Sequence, residues 1–75
     1  MTPHQIKVLR FINNFWINNQ YSPSMKEIQE GLNFSSATSV ADICRSLIFR
    51  GYLNKIKYCH RNYEITEKTK ELLRN

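Results

Sequence analysis

The sequence predicts a mainly α-helical domain with one small β-hairpin. Three stretches carry apolar residues at helical spacing directly behind residues that cap helix N-termini. A later pair of short stretches has the alternation and the aromatic content of strands. The chain has 75 residues, of which 41% are hydrophobic, so it can fold around one modest core rather than remain disordered. We therefore expect a single domain over residues 1-75.

The first helix is predicted to begin at Pro3. Thr2 can cap its N-terminus, a proline in the first turn loses no hydrogen bond, and Gln5 stands where its side chain can bond back to the cap. The polar run Asn18-Asn19-Gln20 ends the helical pattern. Between these limits, apolar residues at helical spacing are predicted to face the core: Ile6, Val8, Leu9, Phe11, Ile12, Phe15 and Trp16.

A second, short helix follows an extended connection. Tyr21-Ser22-Pro23 is expected to be extended, because the residue before a proline avoids the helical region. Ser24 and Glu27 repeat the capping box, Ile28 and Leu32 supply the apolar positions, and Gly31 is predicted to stop the helix.

The third helix is predicted to run from Ala37 to Arg50. Ser35-Ser36 offers its N-cap and Gly51 closes it. Two capped helices separated by so short a connection are typical of a helix-turn-helix.

This third helix has two different faces when its residues are placed at about 100° intervals. The predicted buried side carries Ala37, Val40, Ile43, Cys44, Leu47 and Ile48. The opposite side carries Thr38, Asp42, Arg45 and Phe49, flanked by Ser39 and Ser46. Polar groups on its N-terminal half suit the reading of base edges, although an ordinary solvated face is the alternative. Phe49 is expected either to pack under the hairpin or to mark an interface with a partner chain.

The hairpin is predicted from Tyr52–Tyr58 and Tyr63–Thr66, with Cys59-His60-Arg61-Asn62 as its turn. Thr66 can then cap a last helical turn or two that extends to Leu73.

The positive charge is concentrated beside this hairpin. The formal net charge is +5, and no Asp or Glu occurs between Ile43 and Tyr63. The basic residues there are Arg45, Arg50, Lys55, Lys57, His60 and Arg61. Such a field attracts phosphate or acidic lipid headgroups. The alternative is a charged edge hairpin that only maintains solubility.

Several functional classes are excluded by what the sequence lacks. Cys44 and Cys59 form no CxxC pair, and with His60 and His4 they have no zinc-ligand spacing, so we expect no metal and no cofactor. No nucleophile, base and orienting group can be assembled, which argues against an enzyme or a small-molecule substrate. The absence of a signal-peptide pattern and of a long apolar run predicts reduced thiols, a cytoplasmic location and no membrane association.

Four segments carry a family resemblance: Thr2-Pro3-His4-Gln5, Tyr21-Ser22-Pro23-Ser24-Met25-Lys26-Glu27-Ile28, Leu32-Asn33-Phe34-Ser35-Ser36, and Leu47 to Leu53 with Arg50-Gly51-Tyr52. Together they resemble the N-terminal DNA-binding domain of LexA-type repressors over nearly the whole chain. Asn33 stands where that family has Gly. The tail Tyr63 to Lys68 is similar to the segment after the wing in MarR-like winged helices, although Thr69 replaces the usual Gly.

The LexA resemblance implies a winged helix-turn-helix, in which a three-helix bundle carries a two-stranded wing and a short C-terminal helix. It also implies that the third helix enters the major groove. Ser36 matches a base-contacting Ser of the family, whereas Thr38, Ser39, Ala41 and Asp42 stand where the family has Asn, Ala, Glu and Glu. We therefore expect this chain to share the family's docking mode but to recognise a different operator sequence. LexA's self-cleaving C-terminal domain has no counterpart here, so no protease activity is implied.

We therefore expect a sequence-specific regulator that binds double-stranded DNA, of phage or mobile-element type. The predicted recognition-helix contacts are Ser35, Ser36, Thr38, Ser39, Asp42 and Arg45. The predicted backbone and wing contacts are Ser24, Lys26, Lys55, Lys57, His60 and Arg61. The alternatives are a winged helix that docks another regulatory protein, and a non-specific or replication-associated DNA binder. We expect a monomer or a weak homodimer, since no long heptad segment is present.

Overall fold

The computed structural model describes residues 1–56 and 63–74. Its elements, in chain order, are α1 (Pro3–Asn19), α2 (Met25–Gly31), α3 (Ala37–Phe49), β1 (Leu53–Lys55), β2 (Tyr63–Ile65) and α4 (Glu67–Leu73). This confirms the predicted mainly helical fold with a two-stranded hairpin. The predicted hairpin turn Cys59–Asn62, together with Lys57 and Tyr58, lies outside the described residues.

The helix starts are those that the capping residues predict. Thr2 Oγ1 accepts from the backbone N–H of Gln5 at 3.2 Å, and Gln5 Oε1 accepts from the backbone N–H of Thr2 at 3.0 Å. Ser24 and Glu27 form the same reciprocal pair at 3.2 Å and 2.8 Å. Thr66 caps α4 through the backbone N–H of Thr69. These short polar residues satisfy amide groups that the helix itself leaves unbonded.

The turn after α2 is made by Asn33 rather than by a glycine. The helix ends at Gly31 as predicted, but the left-handed backbone conformation occurs at Asn33, where φ is 58°. Asparagine tolerates this region better than most residues do. Gly31 matters for a different reason, because a Cβ there would lie 2.3 Å from Cε2 of the Phe11 ring and the ring would have to shift. The glycine lets α1 and α2 approach each other closely.

One core joins the three helices to the hairpin. Its buried residues are Val8, Leu9, Ile12, Ile28, Val40, Cys44, Leu47, Leu53, Tyr63 and Ile65. The predicted apolar stripe of α1 is confirmed at its centre and fails at its C-terminal end, where Trp16 is 43% exposed. Helical spacing fixes which side of a helix a residue occupies but not how far the core extends along it.

The hairpin is antiparallel, and Leu53 pairs with Ile65, Asn54 with Glu64 and Lys55 with Tyr63. The first strand is shorter than the predicted Tyr52–Tyr58. Tyr52 belongs instead to the corner after α3, where its N–H donates to the carbonyl of Leu47 at 2.9 Å. Its carbonyl still accepts from the backbone N–H of Thr66 at 3.4 Å, so only the N–H of Tyr52 is diverted from the hairpin to the end of α3.

Helix α4 fastens that corner. Thr66 Oγ1 donates to the carbonyl of Gly51 at 2.8 Å, and Thr69 Oγ1 donates to the carbonyl of Tyr52. Lys68 Nζ donates to the carbonyl of Arg50 at 2.9 Å and lies 4.4 Å from the centre of the Tyr52 ring. Three successive carbonyls of the corner that follows α3 are thus satisfied by side chains of α4 and of its N-cap residue. No helix within the described ranges is long and apolar enough to cross a membrane.

Candidate nucleic-acid interface

Helix α3 presents a continuous outward stripe of side chains. Val40, Cys44 and Leu47 are fully buried on one side, as the angular placement predicts. The opposite stripe is exposed, and it consists of Thr38, Asp42, Arg45 and Phe49. Ala37 was predicted on the buried side and is exposed, because the first turn of α3 extends past the core. The recognition surface that the sequence predicts is therefore accessible to a large ligand.

The two charged residues of this stripe are paired with each other. Arg45 Nη1 lies 3.1 Å from Asp42 Oδ1, and the two side chains are 76% and 62% exposed. An exposed pair of this kind stabilises a protein by about 1 kcal/mol at most, because water screens it. Both groups can therefore exchange each other for partners on a ligand at little cost.

The N-terminal end of α3 gathers hydroxyl groups. Ser36 Oγ accepts from the backbone N–H of Ser39 at 3.3 Å and lies 3.2 Å from Ser39 Oγ. Ser35, which precedes the cap, is exposed. A hydroxyl has one donor and two acceptor positions, so these bonds leave capacity for further partners. The positive end of the helix dipole lies at the same place and favours anions.

The predicted backbone contacts are more scattered. Lys26 is exposed in the first turn of α2, and Lys55 is exposed at the end of β1. Ser24 is only 4% exposed, and its hydroxyl already caps α2. It is the least accessible of the predicted contacts that the structure describes, and its role at DNA stays a prediction. Lys57, His60 and Arg61 lie outside the described residues, so their contacts also stay predictions.

Two interactions from the start of α1 hold α3 in place. Gln5 Nε2 donates to Ser46 Oγ at 3.1 Å. The His4 ring meets the Phe34 ring edge to face, with 5.7 Å between their centres, just before α3 begins. The sequence identified Gln5 only as a capping residue. As a capping residue Gln5 uses only its side-chain oxygen, so its amide N–H groups remain free to donate. This spare donor capacity is the one signal in the sequence that Gln5 could bond to a second partner.

The buried side of α3 carries no charge at physiological pH. Cys44 is fully buried, and this burial raises the pKa of its thiol from 9.0 to about 12, an effect partly offset by a hydrogen bond with Tyr63. Burial also raises the pKa of Tyr63 above its ordinary value. Both groups therefore remain neutral at physiological pH. Cys44 is a small core residue, as the sequence predicts, and all the charge of α3 lies on its outer face.

Comparisons with known proteins converge on this architecture. The family described as LexA DNA binding domain matches residues 1–61. The chain is 37% identical over 71 residues to a LexA repressor of Leuconostoc citreum, which covers 92% of the chain and 34% of that protein. It is 31% identical over 71 residues to a LexA repressor of Finegoldia magna, covering 95% of the chain and 34% of the relative. A LexA repressor of Anaeromyxobacter is 33% identical over 73 residues, covering 97% and 32%.

The match thus spans nearly all of this chain and about a third of each relative. The aligned part includes the capped helices and the outward stripe of α3 described above.

Proposed function

The chain belongs to the LexA DNA-binding domain family and folds as a winged helix-turn-helix that binds DNA, and we propose that it is a sequence-specific regulator that acts by occupying an operator. The observation that carries this proposal is the outward stripe of α3. Its N-terminal half offers hydroxyl groups, a carboxylate and a guanidinium on the side of α3 that faces away from the core. Duplex DNA as the ligand implies a cytoplasmic place of action.

In this proposal α3 lies in the major groove with its N-terminal half toward the base edges. A guanidinium can bond bidentately to O6 and N7 of guanine, and a carboxylate can accept from the amino group of cytosine. Arg45 and Asp42 stand one helical turn apart, so they reach neighbouring base pairs. Ser36, Thr38 and Ser39 complete the polar surface with groups that accept or donate.

Basic residues outside α3 supply contacts to the phosphate backbone. Lys26 lies in the first turn of α2, the helix that precedes α3, and Lys55 lies on the hairpin that follows α3. Contacts of this kind fix the register of the protein on the duplex without reading sequence. We place Ser24, Lys57, His60 and Arg61 in the same group from the sequence. One or two of the hairpin residues Lys55, Lys57, His60 and Arg61 are proposed to enter the minor groove, and the others to neutralise phosphates.

We also propose that the isolated chain is a monomer or a weak homodimer, and that it is of phage or mobile-element type. Sedimentation velocity over a range of micromolar concentrations tests the first point. A species that stays dimeric on dilution contradicts it.

The function is tested by selecting bound duplexes from a random pool at near-physiological salt, followed by anisotropy titration on the selected site and on a scrambled duplex. A specific regulator typically binds its site about 10³-fold or more tightly than random DNA. Equal binding to both duplexes would indicate a non-specific binder. Binding to neither at low salt would contradict the proposal and favour the protein-docking alternative.

A further inference from the structure

We infer that Phe49 is a further DNA-contacting residue, whose ring packs against an apolar part of the duplex: a thymine 5-methyl group or a deoxyribose. This inference rests on the proposed docking of α3. It adds an apolar contact to a surface that otherwise reads DNA through charge and hydrogen bonds.

Exposure is the first observation. Phe49 is 92% exposed, whereas the next most exposed large apolar residue among those described, Ile17, is 58% exposed. The other large apolar residues of α3 near its C-terminus, Ile43 and Ile48, pack against the core. A phenyl ring left in water forgoes the free energy of burial, and exposed apolar surface commonly marks a binding site. At this exposure the ring is not packed under the strands β1 and β2 that the structure describes, which favours the second explanation that the sequence offered, a binding interface.

Placement on the helix is the second observation. At 3.6 residues per turn, Thr38, Asp42, Arg45 and Phe49 fall within an arc of about 60°. A ligand that faces Asp42 and Arg45 must therefore also face Phe49. Along the helix axis the ring stands about 6 Å beyond Arg45 and about 16 Å beyond Thr38.

That distance positions the ring at the edge of the groove. The major groove is about 12 Å wide, and α3 enters it by its N-terminal half. A residue about 16 Å further along the axis meets either the groove wall, which is lined by deoxyribose, or a base pair several steps away. The apolar groups available there are sugar carbons and thymine methyls. An aromatic ring can contact both.

Charge decides between DNA and a second copy of the chain as the occupant. Arg45 lies one turn before Phe49, and Arg50 follows it directly. Arg45 is already paired with Asp42, but burying Phe49 against its own symmetry mate would bring the two Arg50 side chains toward each other, which is unfavourable. A polyanion is attracted by the same arrangement. The surroundings of the ring therefore suit a duplex.

The test compares Phe49→Ala with Ile17→Ala, a matched truncation of an exposed apolar residue on another helix. We expect Phe49→Ala to weaken binding to the selected duplex roughly fivefold, as for the loss of on the order of 40 Å² of apolar contact. The slope of log Kd against log salt should stay unchanged, because no phosphate contact is lost. Ile17→Ala should bind like the wild type.

Replacing thymine by uracil, one position at a time, removes a single 5-methyl group and so distinguishes a methyl contact from a deoxyribose contact. If the ring contacts a methyl group, one replacement weakens the wild type and has no further effect on Phe49→Ala. If the ring contacts deoxyribose, no thymine replacement weakens the wild type through Phe49. Phe49→Ala then weakens binding to the selected and the scrambled duplex alike. Wild-type affinity in Phe49→Ala overturns the inference and leaves the proposed function intact. The inference is also overturned if Phe49→Ala keeps wild-type DNA affinity and loses only self-association, as measured by sedimentation. Failure of the wild type to bind any duplex removes the proposed function itself.

Discussion

The side-chain amide of Gln5 donates to Ser46 Oγ at 3.1 Å, and so joins the first turn of α1 to the last turn of α3. Its Oε1 simultaneously accepts from the backbone N–H of Thr2. Gln5 is 9% exposed, so both bonds form where water competes poorly. One side chain thus closes the cap of α1 and fixes the angle at which α3 is held.

Gln5→Ala should lower the free energy of unfolding by about 1–3 kcal/mol, because it leaves the Ser46 hydroxyl and the Thr2 amide without this partner. The fluorescence of Trp16, the single tryptophan, reports unfolding in urea. Ser46→Ala and the double variant complete a cycle, in which we expect a coupling of about 1 kcal/mol. Additive effects would show that the two side chains do not interact in solution.

The two glycines should fail for different reasons. Gly51 has φ of +84° and no atom within 4 Å of an added Cβ, so Gly51→Ala carries only the cost of a left-handed backbone, about 1–2 kcal/mol. Gly31→Ala instead drives a Cβ to 2.3 Å from the Phe11 ring. Phe11→Leu lacks the clashing ring atoms. It should therefore relieve part of the cost of Gly31→Ala and none of the cost of Gly51→Ala, as measured by urea unfolding of the three single variants and the two double variants. Equal costs in both backgrounds would contradict this explanation.

Local signals in the sequence predicted the helices well. The capping boxes at Thr2 and Ser24 were identified correctly because a cap depends on residues three positions apart. The faces of α3 followed from periodicity for the same reason. Contacts between distant segments could not be predicted in this way. The Gln5–Ser46 bond joins residues 41 positions apart, and no local pattern shows that Thr69 of α4 donates to the carbonyl of Tyr52.

The sequence predicted which residue types form the candidate site, but it predicted only in part which of their side chains are exposed. Thr38, Asp42 and Arg45 are exposed where the periodicity places them. Ser24 was included among the DNA contacts for its hydroxyl, but its cap geometry buries that group. The periodicity put Phe49 on the outer face, yet its packing depended on the path of the hairpin. No local pattern specifies that path.

Alkaline pH should destabilise the protein through Cys44. Its pKa is about 12 in the folded protein and 9.0 ordinarily, so the unfolded chain loses this proton first. The contribution of the buried, protonated thiol to the free energy of unfolding is fully present below pH 9. It is lost between pH 9 and 12, at about 1.4 kcal/mol per pH unit. Tyr63, whose pKa is also raised, adds a loss of the same sign. Cys44→Ala should be less stable at pH 7, but its free energy of unfolding should fall less steeply between pH 9 and 10. Parallel pH profiles for the two proteins would show that the thiol titrates normally.

The most discriminating prediction separates Arg45 from Lys55, since both are exposed cations but they lie on different elements. Arg45 is proposed to meet a base edge, so Arg45→Ala should lose about 1–3 kcal/mol on the selected duplex and little on a scrambled one. Lys55 is proposed to meet a phosphate. Lys55→Ala should therefore weaken both complexes about equally and reduce the log–log salt slope by about 0.9. Lys70→Ala is the matched control, because Lys70 is an exposed cation on α4 that pairs with Glu67 and is not among the proposed DNA contacts. Anisotropy titrations at four salt concentrations supply every quantity. If Arg45→Ala weakened both duplexes equally with a flatter salt slope, Arg45 would be a phosphate contact and α3 would not read bases through it.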